Sequence, residues 1–205
     1  MSNTFQQNHW ESVYNSKDES GLSWTQSDPI KSLDLIQEVC PHGRVIDIGG
    51  GTSALAGRLL QLGYVVAVLD ISEAALQQAR KRLGEAANRI EWVQGDVTQT
   101  ANLGVFDLWH DRALFHFLTD PADRIAYRRL LSRTIRPGGH AIIATFSLEG
   151  PEKCSGLAVR RYSGETLVSE LGEQWTLLKS VPETHRTPWG QPQAFQYSVF
   201  RRNLD

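Results

Sequence analysis

Val45-Ile46-Asp47-Ile48-Gly49-Gly50-Gly51-Thr52-Ser53 decides how the rest of the chain is read. Val45, Ile46 and Ile48 are β-branched and favour a buried strand, and the three glycines that follow remove every Cβ where backbone would meet a ligand. Beyond them, residues 53–62 carry Leu55, Leu59, Leu60 and Leu62 at helical spacing, closed by Gly63. A strand that turns through glycine into a helix aims backbone N–H groups and the positive end of a helix dipole at one point. An anionic or strongly polar group is expected there.

Toward the C-terminus the pattern repeats. Residues 64–69 form an apolar strand ending in Asp70, and Ser72 caps a helix whose inner face is Ala74, Ala75, Leu76, Ala79 and Leu83, ended by Gly84. Arg80-Lys81-Arg82 is the solvated side of that helix. A third strand, 90–94, runs into Gly95-Asp96, and a fourth, 105–109, into His110-Asp111. A helix is expected over 121–135, after which Pro137-Gly138-Gly139 turns the chain into a strand over 141–146. Asp70, Asp96 and Asp111 each follow an apolar strand directly, as the glycine turn follows the first.

Toward the N-terminus, Asp28-Pro29 reads as a cap and first helical position, with Ile30, Leu33, Leu35, Ile36 and Val39 continuing to Cys40. Residues 4–14 scatter Phe5, Trp10, Val13 and Tyr14 through a polar segment, which is expected to dock on the domain's own surface, with a lid over a ligand as the second reading. A turn-rich stretch, 15–21, separates it from Leu22-Ser23-Trp24. At the other end, 147–155 is a polar loop, Ser163 caps a helix to Leu171, and 175–181 alternates like a strand. Residues 185–192 connect it to a last strand over 195–200, an antiparallel hairpin at a sheet edge.

Nearly continuous apolar strands alternating with helices imply parallel strands covered on both faces, with ligands beyond their carboxyl ends. The expected fold is therefore α/β: a doubly wound, mostly parallel seven-stranded sheet with an antiparallel C-terminal hairpin strand. The 205 residues suit one domain: a cap over 1–26, a core over 27–146 that holds the cofactor, and a substrate side over 147–205. Lys and Arg number 21 against 23 Asp and Glu, so no basic face calls for nucleic acid. Cys40 and Cys154 are the only cysteines and suggest neither a disulfide framework nor a metal site. No apolar run approaches a membrane span, and the polar residues 1–7 lack the core of a signal peptide, so a soluble cytoplasmic protein is expected.

Two cofactors compete for the glycine turn. Gly49-x-Gly51-x-x-Ala54, with Asp70 further on, satisfies the loose dinucleotide fingerprint of an NAD(P)-dependent oxidoreductase. Asp47, however, repels a pyrophosphate, and the chain is short for a substrate domain. A zwitterionic amino acid fits better, its ammonium near Asp47 and its carboxylate on the Gly49, Gly50 and Gly51 backbone, as at the methionine end of S-adenosyl-L-methionine.

The chain resembles a class I S-adenosylmethionine-dependent methyltransferase over residues 30–200. Asp47-Ile48-Gly49-Gly50-Gly51 is similar to the first motif, Asp70 to the acid on the ribose hydroxyls, and Gly95-Asp96-Val97 to the motif whose carboxylate accepts from the adenine amino group. Phe106-Asp107-Leu108-Trp109-His110-Asp111-Arg112 and Arg136-Pro137-Gly138-Gly139-His140 resemble later motifs. The resemblance also places Ile71 and Trp24 with the cofactor. Ser53 stands where a third glycine is frequent. Trp10 with Tyr14, Ser23-Trp24 and Leu69-Asp70-Ile71-Ser72 resemble small eukaryotic protein-lysine methyltransferases, although Asp111-Arg112-Ala113 replaces their Asp-Lys-Gly.

What this implies is methyl transfer by in-line displacement to a small molecule or a protein side chain, with a non-catalytic binder of S-adenosylmethionine as a further alternative. His110, Asp111 and His116 are the candidate catalytic residues, since a protonated nucleophile needs a base. A packed His116, and an Asp111 that binds cofactor or fixes Arg112, are the alternatives. Tyr14, Cys154, Arg160, His185 and Trp189 are the candidates for binding the acceptor, because they lie where the common core ends.

Overall fold

The computed structural model describes residues 3–16 and 21–204; most of the expected 15–21 turn lies outside them. Within the described residues the chain enters through helix α1 (Asn3–Ser16) and α2 (Ile30–Val39). Strand β1 (Arg44–Ile48), α3 (Leu55–Gln61), β2 (Val65–Asp70), α4 (Glu73–Leu83) and β3 (Ile90–Gln94) follow. Then come β4 (Phe106–Arg112), α5 (Pro121–Thr134), β5 (Ile135–Phe146), the short β6 (Lys153–Cys154) and β7 (Leu157–Ala158), α6 (Gly164–Leu171), β8 (Trp175–Arg186) and β9 (Pro192–Arg202).

The main sheet has seven strands in the order β3-β2-β1-β4-β5-β9-β8. The first five are parallel, β9 is antiparallel to β5, and β8 is antiparallel to β9. The order reverses between β1 and β4, so the crevice of the doubly wound sheet opens beyond the end of β1, at the glycine turn. This is the expected fold. Alternation along the strands divides the core into two layers. Val45, Val66, Val68 and Leu108 pack toward α2 and α3, whereas Ile46, Ile48, Leu69 and Trp109 pack toward α5 and α6.

Several boundaries differ from the sequence reading. The N-terminal segment is a helix, with Val13 and Tyr14 buried against Leu22 and Ala75. Asp28 does not cap α2: Pro29 holds the capping position without a side-chain bond, and the Asp28 carboxylate accepts from Arg58 at 3.1 Å. Ser72 does cap α4, accepting from the Ala75 N–H. Strand β4 continues through Arg112, so His110 and Asp111 lie inside it. Pro137-Gly138-Gly139 is an irregularity inside β5 where its register with β4 shifts; a Cβ on Gly139 would stand 2.8 Å from the Asp107 carbonyl oxygen. In the 147–155 loop, β6 pairs with β7 around Ser155 and Gly156, both at positive φ, the geometry of a tight two-residue turn. The last connection is shorter than expected, because His185 and Arg186 still pair within β8; the Thr187 N–H donates to Gln191 across the turn.

Candidate active site

The glycine turn leaves β1 with Gly49 and Gly51 at φ of 66° and 51°. No side chain fits here: a Cβ on Gly49 would lie 2.7 Å from Leu114, on Gly50 2.7 Å from the Asp47 carboxylate, and on Gly51 2.5 Å from the Tyr14 hydroxyl. Backbone is thereby exposed to a cradle closed over by Tyr14. The next strand ends on Asp70, which is buried and accepts the Gly51 N–H and the Ser72 N–H, each at 2.8 Å. Burial pushes its pKa up to about 6, against the lowering pull of those two bonds. Beyond β3, Asp96 turns one oxygen inward to the N–H and hydroxyl of Thr98, at 2.7 and 2.8 Å. Asp70, Ile71, Asp96 and Val97 line one cavity, together with Gly49 from the turn.

The roof of that cavity is aromatic. Trp10 lies edge-to-face on Trp24 and on Phe117, with ring centroids 5.6 and 5.0 Å apart, and Tyr14 stands edge-on to Trp24. The core grips this roof at Ser23 and Trp24. His185 Nε2 donates to the Ser23 carbonyl at 2.7 Å, Arg112 donates to the Trp24 carbonyl at 2.8 Å, and the Ser23 side chain hydrogen-bonds Cys154. Cys154 is buried, which pushes its thiol up to about 11, and it borders the same cavity.

A second, polar recess adjoins the first and shares Tyr14, Trp24, Gly49 and Arg112 with it. Its floor is a row of hydrogen bonds. Asp47 meets His110 Nδ1 at 2.7 Å, His110 Nε2 meets Ser32 at 2.9 Å, Ser32 meets the Tyr197 hydroxyl at 3.4 Å, and Arg112 Nε donates to Tyr197 at 3.0 Å. With Asp47 ionised, the row can run in one sense. Arginine only donates and carboxylate only accepts, so the neutral His110 carries its proton on Nδ1 toward Asp47 and accepts from Ser32 on Nε2.

The candidate catalytic residues are placed differently from expectation. His110 borders the polar recess, but both ring nitrogens are taken. Asp111 faces the opposite layer, fully buried, accepting from the Leu114 and Phe115 N–H groups and from the Tyr127 hydroxyl at 2.7 Å. Burial pushes it up to about 6 despite those bonds. Strand alternation is the reason: the residue between His110 and Arg112 must point the other way. His116 is likewise fully buried, accepting the Phe146 N–H at 3.3 Å on Nδ1 and packed on Phe117 and Phe146. Burial and the nearby Arg112 push it down to about 3, so it is neutral. Neither Asp111 nor His116 borders either cavity.

Among the acceptor-side residues, Tyr14, Cys154 and His185 border the cavities, whereas Arg160 and Trp189 do not. Arg160 pairs with Glu170 at 2.9 Å on the α6 side, and Trp189 is 53% exposed at the tip of the β8–β9 turn. Sequence reasoning passed over Ser32 and Tyr197, whose pairing with His110 joins α2, β4 and β9 across up to 165 positions. It also named Arg112 only as a departure from a motif. Among the described residues no group of three His, Cys, Asp or Glu is arranged to hold a metal ion, and no helix is long and apolar enough to cross a membrane.

A family model described as a methyltransferase domain matches residues 45–139. The 2-heptyl-1-hydroxyquinolin-4(1H)-one methyltransferase of Mycobacteroides abscessus is 32% identical over 136 residues, 60% of this chain and 58% of that protein. A solved structure reported for the conversion of a disulfide bond into a thioacetal group in echinomycin biosynthesis superposes with a TM-score of 0.80 at 21% identity, covering 98% of this chain and 93% of the other. The N-methyltransferase NodS of Bradyrhizobium japonicum, solved with S-adenosyl-L-homocysteine, superposes with a TM-score of 0.70 at 19% identity, covering 98% and 99%. The chain spans about half the length of the curated relatives it matches. By its sheet order, the motifs at the ends of β1, β2 and β3 and the matched domain, the chain belongs to the class I S-adenosylmethionine-dependent methyltransferases.

Proposed function

We propose that the protein transfers a methyl group from S-adenosyl-L-methionine to an acceptor, a small molecule or a protein side chain, in the cytoplasm. One observation carries this reading: the glycine turn, Asp70 and Asp96 stand at the ends of three neighbouring strands and line one cavity. In that order the N–H groups of the turn receive the methionine carboxylate, Asp70 the ribose hydroxyls and Asp96 the adenine amino group. Asp47 lies beside the turn on the side of the ammonium. When bound, this cofactor supplies a methyl already activated on a positive sulfur. The chain's own residues then have to orient the acceptor and keep water out, for which the roof of Trp10, Tyr14, Trp24 and Phe117 is suited.

In this reading residues 1–26 are the cap, 27–146 hold the cofactor, and 147–205 present the acceptor; the bonds from His185 and Cys154 to Ser23 support the last assignment. The two free, buried thiols of Cys40 and Cys154 agree with a reducing compartment. Calorimetry tests the cofactor: S-adenosylhomocysteine should bind at micromolar level and NADH should not, and the reverse would end the reading. A methyl-labelled cofactor incubated with lysate fractions should then label a species identifiable by mass, whereas no labelling would favour a non-catalytic binder.

A further inference from the structure

Arg112 carries a charge that nothing in the fold answers. Its Nε donates to the Tyr197 hydroxyl and its Nη1 to the Trp24 carbonyl, and the guanidinium lies 4.6 Å over the Phe195 ring. Nη2 is shut off from solvent and has no hydrogen-bond partner. Every partner is neutral, and among the described residues no carboxylate pairs with it; Glu183, on β8, forms no ion pair with it either. An enclosed guanidinium without a counter-ion is costly, and a donor left unpaired adds to that cost.

The position of this charge gives it meaning. Arg112 borders both the aromatic chamber and the polar recess, where the methyl-transfer reading puts the reacting methyl. A guanidinium and a sulfonium repel each other unless an anion stands between them. The titratable neighbours supply no such anion. Burial, with help from Arg112, lowers His116 and His185, while burial raises Cys154 and Tyr197 above their ordinary values. Asp111 faces the other layer and Asp47 is bound to His110. An ammonium acceptor would bring a third positive charge and find no free base on this side.

We infer that Arg112 is the specificity-determining residue of the site, and that the acceptor is a small aromatic acid whose ring hydroxyl reacts as the oxyanion paired with Arg112 Nη2. The ring lies against Trp10, Trp24 and Phe117. The hydroxyl gives its proton to solvent on binding, its oxygen lone pair forms the new bond to the methyl carbon, and the carbon–sulfur bond breaks with its electron pair passing to sulfur. The products are a neutral methyl ether and a neutral thioether. This rests on the methyl-transfer reading, and the test keeps the two apart.

The protein is saturated with S-adenosylhomocysteine, followed by calorimetry, and then titrated with para-nitrophenol, para-nitroaniline and para-nitrothiophenol. Failure of S-adenosylhomocysteine to bind strikes the methyl-transfer reading itself. With it bound, para-nitrophenol should bind at least about tenfold more tightly than para-nitroaniline, and its visible ionisation should move about one pH unit downward, the same tenfold in free energy. Arg112→Gln should abolish both effects, Arg112→Lys should keep part of the shift, and both variants should bind S-adenosylhomocysteine within about threefold of wild type. A phenol that binds no better than the aniline, or ionises unshifted, overturns the inference without recourse to any variant. So does a tenfold loss of S-adenosylhomocysteine affinity in Arg112→Lys, which would give the charge to the cofactor's own carboxylate. Preference for para-nitrothiophenol over the phenol would likewise overturn the hydroxyl.

Discussion

The carboxylate of Glu11 accepts the backbone N–H of Glu73 at 2.7 Å, and with it the Ala74 N–H and the Ser72 hydroxyl at 3.2 Å. Helix α4 is therefore capped by a residue of α1, more than sixty positions earlier in the chain. Its first-turn N–H groups lack intrahelical partners, and a carboxylate there also meets the positive end of the dipole. Glu11→Ala should remove about 1 kcal/mol of docking energy from the cap segment. Limited proteolysis should then cut the N-terminal segment several-fold faster with the core left intact. Equal rates in wild type and variant would show that the aromatic contacts alone hold α1.

Asp70 makes cofactor binding pH-dependent. Its folded pKa, about 6, lies above that of an ordinary carboxylate, so the folded apo protein holds this proton more tightly than the unfolded chain does. The stability it contributes is present below the ordinary carboxylate range and is lost as pH rises through about 6. Ligand binding runs the other way, because hydroxyl donors favour the ionised form. The affinity for S-adenosylhomocysteine should fall below pH 6, approaching about tenfold per unit. Near that pH, binding should release protons, read as a dependence of the calorimetric heat on buffer ionisation enthalpy. A flat profile from pH 5 to 7.5 would separate Asp70 from the ligand.

Asp111→Asn should lower stability without lowering affinity. The carboxylate takes three donors from the 114–115 backbone and Tyr127, and an amide must turn a donor toward one of them. The cost is about 1–3 kcal/mol, a melting temperature lower by several degrees. Cofactor affinity per folded molecule should stay within about twofold. Normal melting with lost methyl transfer would restore Asp111 as a catalytic group.

Gly50→Ala should do the reverse. Its added Cβ meets the Asp47 carboxylate at 2.7 Å and Val68 at 2.8 Å, and Asp47, held by His110, has little freedom to move. Cofactor affinity should drop by tenfold or more, read by calorimetry, with a melting temperature only a few degrees below wild type. Unaltered affinity would mean that the turn is packing alone.

The cofactor side was legible in the sequence because its signals are local. Three glycines after a β-branched run, and an aspartate after each of the next two apolar strands, fix both the topology and the polar ends of the strands. The acceptor side was not, because its geometry is set by pairings between distant segments. That His185 would remain in a strand and reach Ser23 depends on the long β8–β9 ladder, which no residue near position 185 announces. The misplacement of Asp111 has a simpler origin. The polar run His110-Asp111-Arg112 looks like the end of a strand, yet the strand continues because each polar side chain has a partner waiting in the layer it enters.

Continuation of β4 through Arg112 also sets how the protein tolerates change there. A side-chain period of two means that one residue inserted or deleted between Trp109 and Arg112 would trade faces for everything beyond it. The guanidinium would enter the hydrophobic layer of Tyr127 and Leu130, and Asp111 would enter the recess beside Asp47. Substitutions at these positions can therefore alter chemistry or packing one at a time. A shift of frame by a single peptide unit would invert both at once, which makes this short segment intolerant of length variation even where its individual residues accept replacement.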